Sequence, residues 1–381
     1  MAFTTTICMI SDDFLPAATG VGVHLKLIGP ELVRRGHRVS VITTRRTGEP
    51  ALEEWEGVAV HRVPTLKVYG FHQALPSRAT IHRIFEQEKP DVVHHHYVGL
   101  MMRRVCAVAE RMHLPQVSTY HFSAEVLTQP LPMRPFRGVI RRQIVAYNNR
   151  FDMVIAPSRN LGDRLAVEGI HTPVRHVTNP VAFEASDSVV PAERTPGCTI
   201  LYAGRLGPEK NLPYLLRAFA GLLRRVPGAV VWIAGRGPER ESLDRLCAEL
   251  GIGSRVRFLG FLDHPTLARC YAACDVFVLP SLEEAQPLVA MEAMWFGRPV
   301  IVTRAIVAAT EMVDQGVNGY IVDPETPRDL VDRLVTLATD ASLRTGMGEA
   351  SRQRAQAYRP ELAVSALEQA YHDVIAQYHR G

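Results

Sequence analysis

Short apolar, β-branched runs recur along this chain of 381 residues, and most are followed by a segment of helix length. They fall at 6–10, 38–43, 58–63, 91–94, 116–120, 153–156 and 174–177, and again at 199–203, 229–234, 256–259, 275–279, 299–302 and 320–322. A strand that is apolar along its whole length must be buried on both faces. Parallel neighbours need a crossover, usually a helix, between them. The pattern therefore predicts parallel sheets covered by helices on either side. It is interrupted by one polar, turn-rich stretch, EASDSVVPAERTPG at 184–197, which reads as a linker. Two Rossmann-like domains are expected, 1–188 and 189–359, with the site in the crevice between them, at the carboxyl ends of the strands. A chain that is 47% hydrophobic can fill two such cores.

The same residues exclude several classes. No apolar run approaches the ~18–20 residues of a membrane-spanning helix. The apolar run at 7–10 is too short for a secretion signal and runs into Asp12 and Asp13. Six scattered cysteines (8, 106, 198, 247, 270, 274) form no CxxC pair, which predicts reduced, buried thiols in a cytoplasmic protein. A net charge of +4 does not call for nucleic acid. The first glycine loop lacks the GxGxxG of a dinucleotide site, with His24 and Leu25 where glycine would be needed.

The most informative stretch is SLEEAQPLVAMEAMWFGRP, 281–299. An apolar strand runs into a short loop and then a helix over 288–296, stopped by Gly297 and Pro299. The N–H groups at the start of that helix, over 287–290 with Pro287 itself contributing none, form an anion site reinforced by the helix dipole. Glu284 and Glu292 bracket it, with seven residues between them. Two carboxylates beside an anion site make sense if each accepts hydroxyl hydrogen bonds, and this points to a sugar–phosphate ligand.

E-x7-E followed by AMxxGxPV resembles the signature of retaining glycosyltransferases of the family-four type, which have the two-domain GT-B fold. The resemblance implies an α/β architecture of two Rossmann-like domains facing across a cleft, with the last helix, over 360–381, packing back on the N-terminal domain. It implies that Glu284 and the backbone of Gln286, Pro287, Leu288 and Val289 hold the donor sugar, and that Glu292 holds the ribose. ILYAGRLGPEKNL is similar to the segment whose cations, here Arg205 and Lys210, bind the donor diphosphate. Charge grows on that leaving group as the glycosidic bond breaks, and fixed cations can stabilise it without a metal. Gly235 and Gly237 form another glycine loop, Gly260 falls at the level of the nucleobase, and NGYIV at 318–322 matches the family well. In the N-terminal half, Gly20 and Gly22 resemble the first loop, which approaches donor phosphate and acceptor. His121, at a strand end, resembles the histidine that reaches the donor sugar. Three adjacent histidines, 94–96, alternate faces of a strand and cannot all hold one metal. No metal and no cofactor beyond the sugar nucleotide is expected.

The reading is a metal-independent, retaining hexosyltransferase that uses a UDP- or GDP-linked sugar. A sugar-nucleotide epimerase or hydrolase on the same fold, or a transferase with a soluble acceptor, is the alternative. EEAQPLV, with Gln286, resembles the diacylglycerol glucosyltransferase branch, implying a membrane lipid or lipid-linked glycan as acceptor. Residues 126–150 hold five arginines (134, 137, 141, 142, 150) and no acidic residue. A helix there would align Phe136, Ile140, Ile144 and Tyr147 on one face, flanked by Arg137 and Arg141. Such a helix can lie on the inner surface of a membrane through 134–150.

Overall fold

A computed structural model of the chain describes residues 4–15, 19–68, 71–96, 99–121, 135–183 and 197–380. The chain divides into two compact units, Met1–Pro180 together with Pro360–Gly381, and Val181–Arg359. The linker expected over 184–197, with the domain boundary placed at 188, lies outside the described residues except for Gly197.

The first unit contains β1 (Thr6–Ile10), β2 (Arg38–Thr44), β3 (Leu52–Trp55), β4 (Val58–Val63), β5 (Thr65–Val68), β6 (Phe71–Ala74), β7 (Val92–His95), β8 (Gln116–Thr119), β9 (Met153–Ala156) and β10 (Val174–His176). Eight of them form a sheet in the order β10-β9-β8-β7-β1-β2-β4-β3. From β1 the chain winds outward through β2 to β4, then returns to the other side of β1 as β7. Residues after β1 and after β7 therefore meet at a topological switch point. The sequence pattern predicted only parallel strands. The structure adds β3, antiparallel to β4, and an antiparallel hairpin of β5 and β6. LEEW at 52–55 lies at the sheet edge and is not buried, so it lacks the apolar run that marks the other strands.

The helix Gly20–Arg34 turns Val21, Leu25, Ile28 and Leu32 into the core of this unit. The terminal helix Pro360–Tyr378 supplies Val364, Leu367, Ala370, Tyr371 and Val374 to the same core. Polar contacts fix its position: Arg35 Nη1 and His37 Nε2 reach the two oxygens of Glu368 at 2.8 and 2.9 Å.

The second unit contains β11 (Thr199–Ala203), β12 (Val230–Ala234), β13 (Val256–Gly260), β14 (Val276–Leu279), β15 (Val300–Thr303) and β16 (Gly319–Val322). All are parallel, in the order β13-β12-β11-β14-β15-β16. Its switch point lies between β11 and β14, each buried along its length. Tyr202, Phe219, Tyr271, Phe277 and Phe296 fill the core. All six cysteines are buried and none forms a disulfide, and no described helix is long and apolar enough to cross a membrane.

Candidate functional site

In the second unit the switch point joins two segments that lie 74 residues apart. Lys210 stands in the short 3₁₀ turn Pro208–Lys210 after β11, and Glu284 in the loop after β14. Their side chains form an ion pair, 18% and 19% exposed. Glu284 Oε1 also accepts from Ser281 Oγ at 3.2 Å. Backbone bonds hold both loops: Leu282 N–H donates to Glu209 O at 2.7 Å, and Val307 N–H to Glu284 O at 2.9 Å. Tyr202 Oη donates to Arg205 O at 2.8 Å, which fixes the turn that presents the exposed Arg205 side chain. Arg205 is exposed, whereas Lys210 is largely buried against its carboxylate.

The helix Leu288–Trp295 follows directly, capped by Pro287 with no side-chain bond. Of the N–H groups counted on for the anion site, Ala290's donates to Pro287 O at 3.2 Å. The amides of Leu288 and Val289 are the ones the first turn presents. Gln286 and Pro287 are buried, and Leu288 and Val289 half-buried. Glu292, one turn further, is 5% exposed and accepts from Tyr271 Oη at 2.8 Å on one oxygen. His264 Nε2 lies 3.7 Å from the other oxygen, and its ring stacks on Phe183 with centroids 4.1 Å apart. Tyr271, His264 and Phe183 were not singled out from the sequence, because nothing in their spacing ties them to Glu292.

Gly235 is first of all a packing glycine. Its φ is +146°, its N–H donates to Gly260 O at 2.7 Å, and a Cβ there would sit 1.8 Å from Gly204 O. A Cβ at Gly237 would meet Leu206 O at 2.3 Å. The loops after β11, β12 and β13 thus lie backbone on backbone, and this sets the platform that carries Arg205. Gly235→Ala is expected to destabilise the unit by on the order of 3 kcal/mol or more, through overlap and strained φ. A shifted urea midpoint with unchanged slope checks this, with Gly253→Ala, which faces open space, as the near-neutral control.

The first unit gathers histidines at its own switch point. Gly20 and Gly22 are not a loop: they form the first turn of Gly20–Arg34, and Thr19 caps it, accepting from Gly22 N–H at 3.4 Å. Asp12, buried after β1, accepts from Ala74 N–H at 2.9 Å. Burial raises its pKa to about 7, and that of neighbouring Asp13 to about 6. His24, on the next part of the helix, has its ring 5.0 Å from that of His121 and 5.4 Å from that of His96. His96 Nδ1 and His121 Nε2 are 3.2 Å apart. Within the run 94–96, alternation holds. His94 lies on the same side as His96, its centroid 3.9 Å away, whereas His95 stacks on Phe151 and bonds Gln116. One histidine of the run therefore converges with two from other elements. One ring nitrogen from each of His24, His96 and His121 lies within 4.8 Å of the others, a set that three-imidazole metal ligation could use. His96 Nδ1 and His121 Nε2 are also a hydrogen-bonded pair, and sequence reasoning missed this cluster because 24, 96 and 121 share no local pattern.

The basic helix is described over Arg137–Asn148, and Arg134 lies outside the described residues. The apolar face expected along it is divided. Ile144 is buried and Tyr147 packs with Met102, Cys106 and Phe151. Phe136 and Val139 are 55% and 53% exposed, beside exposed Arg137, Arg141 and Arg142.

Two family models match. Residues 18–184 fit Glycosyltransferase Family 4, and residues 186–354 fit Glycosyl transferases group 1. The chain is 31% identical to a D-inositol 3-phosphate glycosyltransferase of Corynebacterium jeikeium, over 96% of this chain and 94% of that one. It is 29% identical to an uncharacterized glycosyltransferase of Methanocaldococcus jannaschii, over 87% and 89%. Among solved structures, Anabaena HepE in complex with UDP-glucose superposes with a TM-score of 0.76 at 20% identity, over 97% of this chain and 100% of that one.

Proposed function

Because this chain belongs to the group 1 and family 4 glycosyltransferases of GT-B fold, we propose that it moves a hexose from a nucleoside-diphosphate sugar to an acceptor hydroxyl with retention of configuration. The observation that carries this reading is the meeting of Lys210 and Glu284 beside a helix N-terminus at the switch point of the second unit. Arg205, Lys210 and the amides of Leu288 and Val289 take the diphosphate. Glu284 and the backbone from Gln286 to Val289 take the sugar, and Glu292, set by Tyr271, takes the ribose hydroxyls. Gly260, at the end of β13, lies beside the base. From the first unit, His121 and the helix start at Gly20 and Gly22 are our candidates for contact with donor and acceptor.

In the reaction, the bond from the anomeric carbon to the diphosphate oxygen breaks and the acceptor oxygen bonds the same face. The acceptor's proton passes to the departing phosphate oxygen. Fixed cations and oriented amides stabilise the charge growing on that oxygen, so no divalent ion is needed. A thermal-shift screen of UDP, GDP and ADP with their sugars tests the donor. One nucleotide family raises the melting temperature, and activity with it survives exhaustive EDTA treatment. The donor reading fails if none of them shifts the protein. Abolition by EDTA with rescue by magnesium or manganese would overturn the metal-free mechanism. Rapid donor-only hydrolysis or isomerisation, unaffected by any acceptor, would favour an epimerase or hydrolase.

The acceptor we propose is a membrane lipid or lipid-linked glycan, reached from the helix Arg137–Asn148. Exposed Phe136 and Val139 insert, and Arg137, Arg141 and Arg142 meet anionic headgroups at about 1 kcal/mol each, screened by salt. Co-sedimentation with anionic vesicles at low salt is expected, and is lost when the three arginines are replaced by glutamine. No binding, or binding indifferent to those substitutions, would leave a soluble polyol phosphate, in line with the inositol-phosphate relatives, as the better acceptor.

A further inference from the structure

The proposed transfer makes no use of His24, His96 and His121 as a group. Three elements bring them together: His24 from the helix Gly20–Arg34, His96 just after β7 and His121 just after β8. Their ring centroids form a nearly equilateral triangle, 5.0 Å from His24 to His121, 5.4 Å from His24 to His96 and 5.5 Å from His96 to His121. Three imidazoles that hold one tetrahedral ion at about 2.0–2.1 Å have their ring centres about 5 Å from one another. The 3.2 Å between His96 Nδ1 and His121 Nε2 is close to the edge of such a tetrahedron, roughly 3.3 Å.

A core of satisfied histidines would leave no polar atom over. His94 meets that standard, with Tyr371 Oη at 2.6 Å on one nitrogen and Thr119 Oγ1 at 2.8 Å on the other. It packs on His96 with centroids 3.9 Å apart and so holds that ring in place. Within the cluster, by contrast, His24 Nδ1 and His96 Nε2 are buried with no hydrogen-bond partner. Packing does not offset that cost. A set of three imidazoles suits zinc, or cobalt and nickel in its place, over the oxygen-seeking magnesium, calcium and manganese.

We propose that His24, His96 and His121 form a binding site for one zinc-class divalent ion, with the fourth position taken by water, hydroxide or a small anion. On binding, the proton between His96 and His121 gives way to the ion and moves to the far nitrogen of the ring that carried it. The ion ties the helix Gly20–Arg34 to the ends of β7 and β8 and stabilises the first unit. Transfer does not require it, since the leaving group is stabilised by the fixed cations of the second unit. Ligation does occupy a nitrogen of His121, our candidate for contact with donor and acceptor, so a loaded site slows transfer. That consequence rests on the reading of His121; the site does not.

The test uses the untagged full chain, treated with EDTA, desalted and titrated with cobalt(II), then zinc. One equivalent of cobalt is expected to give the intense visible absorption of a four-coordinate ion, and one equivalent of zinc to abolish it. His24→Ala and His96→Asn are each expected to weaken zinc binding by more than about a hundredfold, beyond the 10–100-fold loss typical of an outer-shell change. His82→Ala, which removes an exposed histidine beside Glu86, is expected to leave binding unchanged. At free zinc of about 100 times Kd, amide protection in the helix Gly20–Arg34, β7 and β8 should rise about a hundredfold, with β11 and β14 unchanged. A missing cobalt band, or one that survives both cluster substitutions, overturns the site. Should a variant not fold, protection in the unmodified chain decides, and no rise confined to the first unit overturns the site equally. Zinc bound with transfer undiminished would leave the site standing and remove only the role given to His121.

Discussion

Lowering the pH from about 7.5 to about 5.5 is expected to loosen the first unit by on the order of 4 kcal/mol, while the second holds. His24, His94, His95 and His96 are buried. Burial lowers His24 and His95 from 6.5 to about 4, and takes His94 and His96 well below 6.5. Below pH 6.5 the unfolded chain binds protons at these four sites and the folded unit does not, so stability falls as pH falls. Asp12 and Asp13 act in the opposite sense. Their raised pKa values, about 7 and about 6, mean that the folded unit takes up protons in this range and the unfolded chain does not until about 3.8. His121, also held well below 6.5 by burial, is a fifth such site, and five protons against two leaves a net three, or about 4 kcal/mol per pH unit between about pH 6 and 4.5. The second unit buries no histidine among the described residues and has no comparable slope. Amide protection factors in β1, β7 and the helix Gly20–Arg34 should fall about a thousandfold between about pH 7.5 and 5.5, with β11 and β14 nearly unchanged. Equal loss in both units would show that the histidines are not buried as neutral rings.

The contrast between the two units also marks what the sequence could reveal. Apolar runs such as VVWIA and VFVL announce buried parallel strands by composition alone, and the parallel order follows because each is separated from the next by a crossover. LEEW has no such run and is a strand only because β4 offers it an edge. Lys210 and Glu284 were legible as donors and acceptors of charge through their motifs. Their direct pairing was not, because it depends on β14 inserting beside β11, a choice of strand order made by the whole sheet. The histidines show the same limit more sharply. The run 94–96 drew notice as a sequence feature, yet the cluster takes one member from it and two from segments 72 and 25 residues away. Thr19 caps the helix Gly20–Arg34, its hydroxyl doing there what backbone freedom would do in a loop.

The largest effect on turnover is expected at Lys210. Its ammonium is neutralised by Glu284, so the free protein does not hold an unbalanced buried cation. A bound diphosphate would compete for the same ammonium, and as the glycosidic bond breaks the growing charge would draw it more strongly than Glu284 does. That difference between ground and transition state is what accelerates the step. Lys210→Ala is expected to lower kcat by about 10²–10³, the usual loss for one preorganised charge stabiliser. It also leaves Glu284 facing an anion with no cation between them, so KM for the donor should rise as well. Because the pair is largely buried, stability is expected to drop by about 1 kcal/mol. Arg205→Ala removes an exposed charge and should reduce turnover with little change in melting temperature. The double variant Lys210→Ala with Glu284→Gln separates the two contributions. It should recover part of the donor KM, since the stranded carboxylate is gone, and none of the kcat, since no cation has returned. A folded Lys210→Ala protein whose kcat stays within tenfold of the unmodified enzyme would remove Lys210 from the donor site, and with it the assignment of the leaving group to the switch point between β11 and β14.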